Sequence, residues 1–182
     1  MRQRVITAVV ALALFIPIIV YGGIAIQLTA AALAAVGVYE LFRMKGLELT
    51  SFEGVLAALA AIVLVLPKEQ WFFFLPEKTD TFILFYLIVM ILLGALVASK
   101  NTYSISQAGF PVIASLYLGV GFQNFVAARQ SGLVVLLYAL FVVWATDIGA
   151  YMVGRKLGKH KLLPSVSPNK TIEGSIGGIV SA

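Results

Sequence analysis

A chain of 182 residues that is 61% hydrophobic and 12% charged, with a mean hydropathy of +1.01, is not an ordinary soluble domain, which carries about 45–50% apolar and about 25% charged residues; nor is it disordered, which needs low hydrophobicity and high net charge. A net charge of +5 and a pI of 9.6 do not make it a nucleic-acid binder, because its basic residues sit in short gaps between long apolar runs instead of lining one water-facing groove. Cysteine is absent and His160 is the single histidine, which excludes a disulfide framework, a thiolate zinc site, a thiol nucleophile and a multi-histidine metal centre.

What remains is an all-α polytopic membrane protein, a bundle of transmembrane helices. A span needs about 20 mostly apolar residues. Residues 5–21 form the first, preceded by Arg2 and Arg4. Pro17 falls inside it, which is tolerated where neighbouring helices satisfy the freed carbonyl. The positive-then-apolar start has a signal-peptide flavour, but no small-residue cleavage site leads into a soluble domain, so the segment is read as retained. Gly22-Gly23 predicts a tight reversal and residues 24–42 a second span, followed by a polar connection with Arg43, Lys45, Glu48 and Glu53. Residues 51–66 are the third and shortest span. Behind them come Pro67 to Gln70 and the cluster Trp71-Phe72-Phe73-Phe74, of the kind enriched at headgroup level. Residues 82–98 are the fourth span, Lys100 to Gln107 a short polar turn, residues 112–128 the fifth span and 133–153 the sixth. A basic loop runs from Gly154 to Thr171, and residues 168–182 open a seventh helix. The chain is therefore expected to be the N-terminal part of a longer single integral-membrane domain. No repeat of the inverted-transporter kind is visible.

Charge supports the third span. With six spans and a cytoplasmic N-terminus, ten of the basic residues fall inside and only Lys68, Lys78 and Arg129 outside. Deleting the third span inverts everything downstream and leaves seven against six, so the positive-inside bias selects six spans with the loop 154–171 in the cytoplasm.

Two places can carry chemistry. Asp147 is the one acid in the middle of a predicted span, where a charge costs about 2.5–3.5 kcal/mol on insertion scales. It must face the bundle interior or a wet cavity, as a cation ligand, as a proton carrier, or as a hydrogen-bonded tie between helices. Ser167-Pro168-Asn169-Lys170-Thr171 reads as a helix start with Ser at the N-cap and Pro at the first helical position. The amides of Asn169 and Lys170 would then point outwards with the positive helix end, an anion site with Lys170 at its rim. Arg155, Lys156, Lys159 and Lys161 lie just upstream, either as phosphate ligands or as plain topology and lipid-surface charges. Gly174 and Gly178 have the spacing of a packing face. Glu173 either complements the helix dipole or orients Lys170, His160 reads as a solvated loop residue, and Glu40 can pair with Arg43 at i+3.

Thr146-Asp147-Ile148-Gly149-Ala150-Tyr151, then Gly154-Arg155-Lys156-Leu157-Gly158-Lys159-His160-Lys161-Leu162, then Ser167-Pro168-Asn169-Lys170-Thr171-Ile172-Glu173-Gly174 closely resemble, in order and spacing, bacterial phosphatidate cytidylyltransferases, the CDP-diglyceride synthetases. The match runs from about Trp144 to Gly178; the preceding helices are compatible but unspecific. The resemblance implies transfer of CMP from CTP to phosphatidic acid with Mg²⁺ as cofactor. It gives Lys170 and Asp147 catalytic roles, and Ser167, Pro168, Asn169, Lys170, Thr171, Lys159 and Lys161 substrate-binding ones. Within this chain Asp147 is the implied metal ligand. The family's further Lys-Asp segment and Asp-rich metal-binding end would lie beyond residue 182, so the main metal ligands are expected there and Asp147 as an accessory one, which leaves the activity of this chain by itself open. Expected partners are CTP, phosphatidic acid and the bilayer, with a homodimer as an option and nucleic acid excluded. The competing readings are an ion-coupled transporter using Asp147 and a CTP-dependent lipid kinase that releases CDP.

Overall fold

In a computed structural model, residues 2–98 and 104–182 are described, and they form an all-α protein with one small hairpin. The helices are α1 (Arg2–Tyr21), α2 (Gly23–Met44), α3 (Phe52–Val65), α4 (Lys68–Trp71), α5 (Phe82–Ala98), α6 (Ile105–Ser131) and α7 (Leu133–Leu157). Then come β1 (Lys161–Leu163), β2 (Ser167–Thr171) and α8 (Ile172–Ser181). Gly23–Met44, Gln107–Ser131 and Leu133–Leu157 are long and apolar enough to cross a membrane. The protein is membrane-embedded.

The chain divides into two compact units, one up to Gln130 and one of Ser131–Ala182. The core of the first is built from rows of small residues: Ala30, Ala31, Ala34 and Val38 on α2 meet Ala57, Ala61 and Val65 on α3, with Ala114 and Val126 from α6. Small side chains let helix backbones approach closely where lipid offers no hydrophobic drive between helices. α3 has only 14 residues and six of them are buried, so it is an interior helix capped by Ser51, whose hydroxyl accepts the Gly54 amide at 3.1 Å.

Contacts inside this unit define two ends. At one, Phe42 near the end of α2 packs on Phe110 near the start of α6, with ring centroids 5.2 Å apart, and Lys45 Nζ sits 4.5 Å from the same ring. At the other, Arg129 at the end of α6 donates from Nε to the Ile19 carbonyl at 2.6 Å and from Nη2 to that of Val20 at 2.9 Å. Its charge thus closes the C-terminus of α1, where a cation is favoured. Beside the α1–α2 reversal, buried Gln27 donates to Gln70 Oε1 at 2.6 Å and accepts the Trp71 indole N–H at 2.8 Å, holding α4 against the start of α2. Phe73 and Phe74 remain exposed, as the aromatic cluster suggested.

The helix extents differ from expectation in three places. α6 starts at Ile105, seven residues before the predicted 112. Ser104 and Gln107 form a capping box: the Ser104 hydroxyl accepts the Gln107 amide at 3.3 Å, and Gln107 Oε1 accepts the Ser104 amide at 2.7 Å. That box starts the helix ahead of Pro111. The rest of the predicted polar turn, through Tyr103, lies outside the described residues. α7 continues to Leu157, so Arg155 and Lys156 belong to its last turn instead of a loop, where cations suit the carbonyl end of a helix.

The third difference bears on function. Residues 168–171 are not the first turn of a helix; they lie on β2, and α8 begins at Ile172. Pro fixes φ near −65° and lacks an N–H, which suits a strand edge as well as a helix start. The cap is Thr171, whose Oγ1 accepts the Gly174 amide at 3.1 Å. β1 and β2 pair antiparallel, Lys161 with Thr171 and Leu163 with Ser167, with an irregularity between. α7 and α8 run antiparallel: Gly174 faces Ala150 and Gly154, and Gly178 faces Thr146. A side chain at Gly174 would come 2.9 Å from the Ala150 carbonyl, and one at Gly178 3.0 Å from that of Thr146. The packing face read from their spacing is real.

Candidate functional site

Within the second unit a cleft of about 690 Å³ opens between α7, the hairpin and α8. α7 contributes Thr146, Asp147, Ala150, Tyr151, Gly154 and Arg155, a face with the spacing of successive helix turns. The hairpin contributes Leu162, Ser167, Asn169, Lys170 and Thr171, and α8 contributes Gly174, Ser175, Gly178 and Ile179. Asp147 is exposed into this space. Among the described residues, none of the three charged side chains lining the cleft, Asp147, Arg155 and Lys170, is held in an ion pair with another residue. They are free to meet a ligand. The lining is mixed: hydroxyls, an amide and two cations on the hairpin side, and the apolar surface of Leu162, Ala150 and Ile179 beside it. Such a site suits an amphiphile with an anionic head.

Of the residues singled out by sequence, the fold brings Asp147, Ser167, Asn169, Lys170 and Thr171 to one cleft. Pro168, Lys159 and Lys161 are not among its lining residues: Pro168 lies on β2, Lys161 on β1 opposite Thr171, and Lys159 in the connection before β1. The expected row of helix-end amides at Asn169 and Lys170 does not form, because both are in the strand. The true helix end is already occupied by protein groups, with the Ile172 amide bonded to the His160 carbonyl at 2.9 Å and the Gly174 amide to Thr171 Oγ1. An anion entering this cleft would therefore meet side chains, Lys170 and Arg155 among them, instead of helix-end amides. Tyr151 and Ser175 were not assigned to the site from sequence, and Arg155 was left between a phosphate ligand and a topology charge. The signal was there: Tyr151 and Arg155 follow Asp147 at i+4 and i+8 on one helical face, and Ser175 follows Thr171 at i+4.

His160 is not merely solvated. Its Nδ1–H donates to Glu173 Oε1 at 2.7 Å, and the backbone amides of Lys159 and His160 donate to the same carboxylate at 3.1 to 3.3 Å. Glu173 does not contact Lys170 by any of these bonds; it holds the start of the hairpin. The His160 hydrogen bond first and the residue's own amide next, with the amides of Lys159 and His160 behind them, outweigh the opposing desolvation and lower the Glu173 carboxyl to about 2. Glu40 and Arg43 pair at 4.0 Å on the surface, as their spacing suggested. Among the described residues no group of three or more His, Cys, Asp or Glu side chains is assembled for a metal.

A family model described as "Cytidylyltransferase family" matches residues 2–182. A phosphatidate cytidylyltransferase of Staphylococcus haemolyticus is 44% identical over 184 aligned residues, covering 99% of this chain and 68% of the relative. Its counterpart in Staphylococcus epidermidis is 42% identical with the same coverage, and that of Staphylococcus aureus is 40% identical over 98% of this chain and 68% of its own length. No solved structure matches the chain.

Proposed function

The chain belongs to the cytidylyltransferase family, and on that premise we propose that it transfers CMP from CTP to phosphatidic acid, giving CDP-diacylglycerol and pyrophosphate for phospholipid synthesis. One observation supports the reading above others: one face of α7, with Asp147 and Arg155, and the hairpin, with Lys170, meet α8 around a single cleft with a polar and an apolar side.

An oxygen of the lipid phosphate attacks the α-phosphorus of CTP, a new P–O bond forms, and the bond from the α-phosphorus to the bridging oxygen breaks as pyrophosphate leaves. The attacking group is already an anion, so no Ser, Cys or His nucleophile is required. The protein's task is to bring two anionic phosphates together and to balance the charge that develops. Lys170 and Arg155 offset phosphate charge, Asn169 and Ser167 supply neutral donors, and Leu162 and Ile179 give the acyl-bearing substrate an apolar margin. Asp147 is an unpaired carboxylate in the same cleft. One carboxylate joined by substrate phosphates is an ordinary oxygen ligand set for Mg²⁺, so Asp147 is the residue that would hold it. Bound there, the ion would supply additional neutralisation of phosphate charge.

We further propose six membrane crossings with α8 opening a seventh, and with the N-terminus and residues 154–171 in the cytoplasm where CTP is found. The ten-to-three division of basic residues supports this. So do the contacts within the first unit: the ends of α1 and α6 meet through Arg129, and the start of α2 meets the chain just after α3 through Gln27. Both pairings are what a crossing by α3 requires.

The deciding experiment supplies the full-length protein, reconstituted in vesicles, with phosphatidic acid and CTP labelled at either the α- or the γ-phosphate. Lipid-extractable label from the α position is the expected result. Label reaching lipid only from the γ position would establish a kinase instead. No lipid label, with ion-driven flux across the vesicles, would establish a transporter.

A further inference from the structure

Glu173 makes four hydrogen-bond contacts to the short connection between α7 and β1, yet it does not line the cleft. Its place explains why. Residues 158–160 leave the last turn of α7, where the Gly158 amide still bonds to the Gly154 carbonyl at 3.1 Å. They must then deliver the chain into β1. The His160 carbonyl accepts the Ile172 amide, and the next residue, Lys161, pairs with Thr171. The root of the hairpin is thus tied to the first turn of α8 by backbone bonds on one side and by the Glu173 carboxylate on the other. Lys170 and Asn169, which line the cleft, are one and two residues from that root.

We propose that Glu173 is a positioning residue for CMP transfer: it clamps residues 159–160 to α8, fixing the hairpin so that Lys170 and Asn169 stand at the phosphate-binding side of the cleft. The inference rests on the cytidylyltransferase reading of that cleft. Three donors on one carboxylate of this kind are charge-assisted bonds, roughly twice as strong as neutral ones. Their low Glu173 pKa agrees with a carboxylate that stays ionised in its clamp. The His160 side chain contributes one donor of the three; the other two, the main-chain amides of Lys159 and His160, survive its replacement.

The test compares the full-length wild-type enzyme in vesicles with Glu173→Ala, Glu173→Gln and His160→Ala, by hydrogen–deuterium exchange and by steady-state kinetics. Glu173→Ala is expected to speed exchange at the amides of Lys159 and His160 and along β2. It should also raise KM for CTP by roughly 10- to 100-fold, the scale of misplacing a binding group by about 1 Å. The kcat should fall as well, with the misplaced Lys170, while the KM for phosphatidic acid should move no more than about threefold. Glu173→Gln keeps an acceptor of the same length and should recover part of the loss, and His160→Ala should show a smaller one. An unchanged KM for CTP in Glu173→Ala overturns the proposal, as does a parallel loss in all three constants, which would mean a general loss of folded protein. If the wild type transfers no CMP, the functional reading fails on its own. Exchange then still decides the clamp: faster exchange reaching β2 upholds it, and unchanged exchange removes it.

Discussion

A lysine on a strand presents the same charge as one at a helix start, but without a ring of amides behind it. Lys170 is in the first situation, so in the proposed reaction its ammonium would carry more of the phosphate-binding task than the sequence alone suggested. Lys170→Ala is expected to lower CMP transfer by about 100-fold or more, on the scale of losing one positioned donor to a developing charge, while the protein inserts normally. Lys159→Ala, outside the cleft, should stay within about threefold of wild type. Assaying transfer of α-phosphate label to lipid checks both. The Glu173 carboxyl gives a second expectation at this scale. Its pKa is lowered from 4.5 to about 2 in the folded chain. A depressed carboxyl stabilises the clamp fully above the unfolded value, and that contribution fades as pH falls from there through about 2. The carbon-13 shift of the Glu173 carboxyl should therefore show no midpoint near 4.5. Asp147 and Lys170 were legible in the sequence because their residue types are costly or conspicuous where they stand. The partnership of His160 with Glu173 was not, since the two lie thirteen positions apart on either side of the hairpin and no periodicity links such a pair.

At the scale of elements, α7 and α8 stand or fall with the glycines between them. Gly178→Leu forces a side chain toward the Thr146 carbonyl, which a Cβ alone would approach to 3.0 Å. Backbone cannot swing aside as a flexible side chain can. This variant should lose several degrees of thermal stability in detergent and close the cleft to nucleotide, whereas Gly121→Ala, with open space around it, should change neither. Thr171→Ala removes the N-cap of α8 and should cost about 1 kcal/mol, read as a lower unfolding midpoint. The long apolar elements were legible: residues 82–98 are helical as expected. The hairpin was hidden because Pro164 and Pro168 interrupt any alternation that would announce strands, and because Pro after Ser is an equally good helix signal. The early start of α6 was readable in the Ser104–Gln107 spacing of a capping box, although the polar run from Lys100 to Gln107 suits a turn equally well.

Taken whole, the proposed orientation rests on charge, and a sequence without cysteine is well suited to testing it. Single cysteines placed at Lys159 and at Lys78 should react with membrane-impermeant reagents from opposite faces. Labelling of both from the same face would undo the six-crossing arrangement and with it the access of CTP to the cleft. The proposed crossings rest on a simple sum of charge along the sequence, whereas the internal fit of α2, α3 and α6 depends on alanine rows that no sum reveals. The hydrogen bond from the Trp71 indole to Gln27 has a further use. Trp71 and Trp144 are the two tryptophans of the chain, and they fall one in each compact unit. Trp71 is tethered to a buried amide, and Trp144 is about half exposed and set edge-on to Phe141. Replacing either by phenylalanine leaves a single intrinsic fluorophore, so the melting of each half can be watched by its own emission.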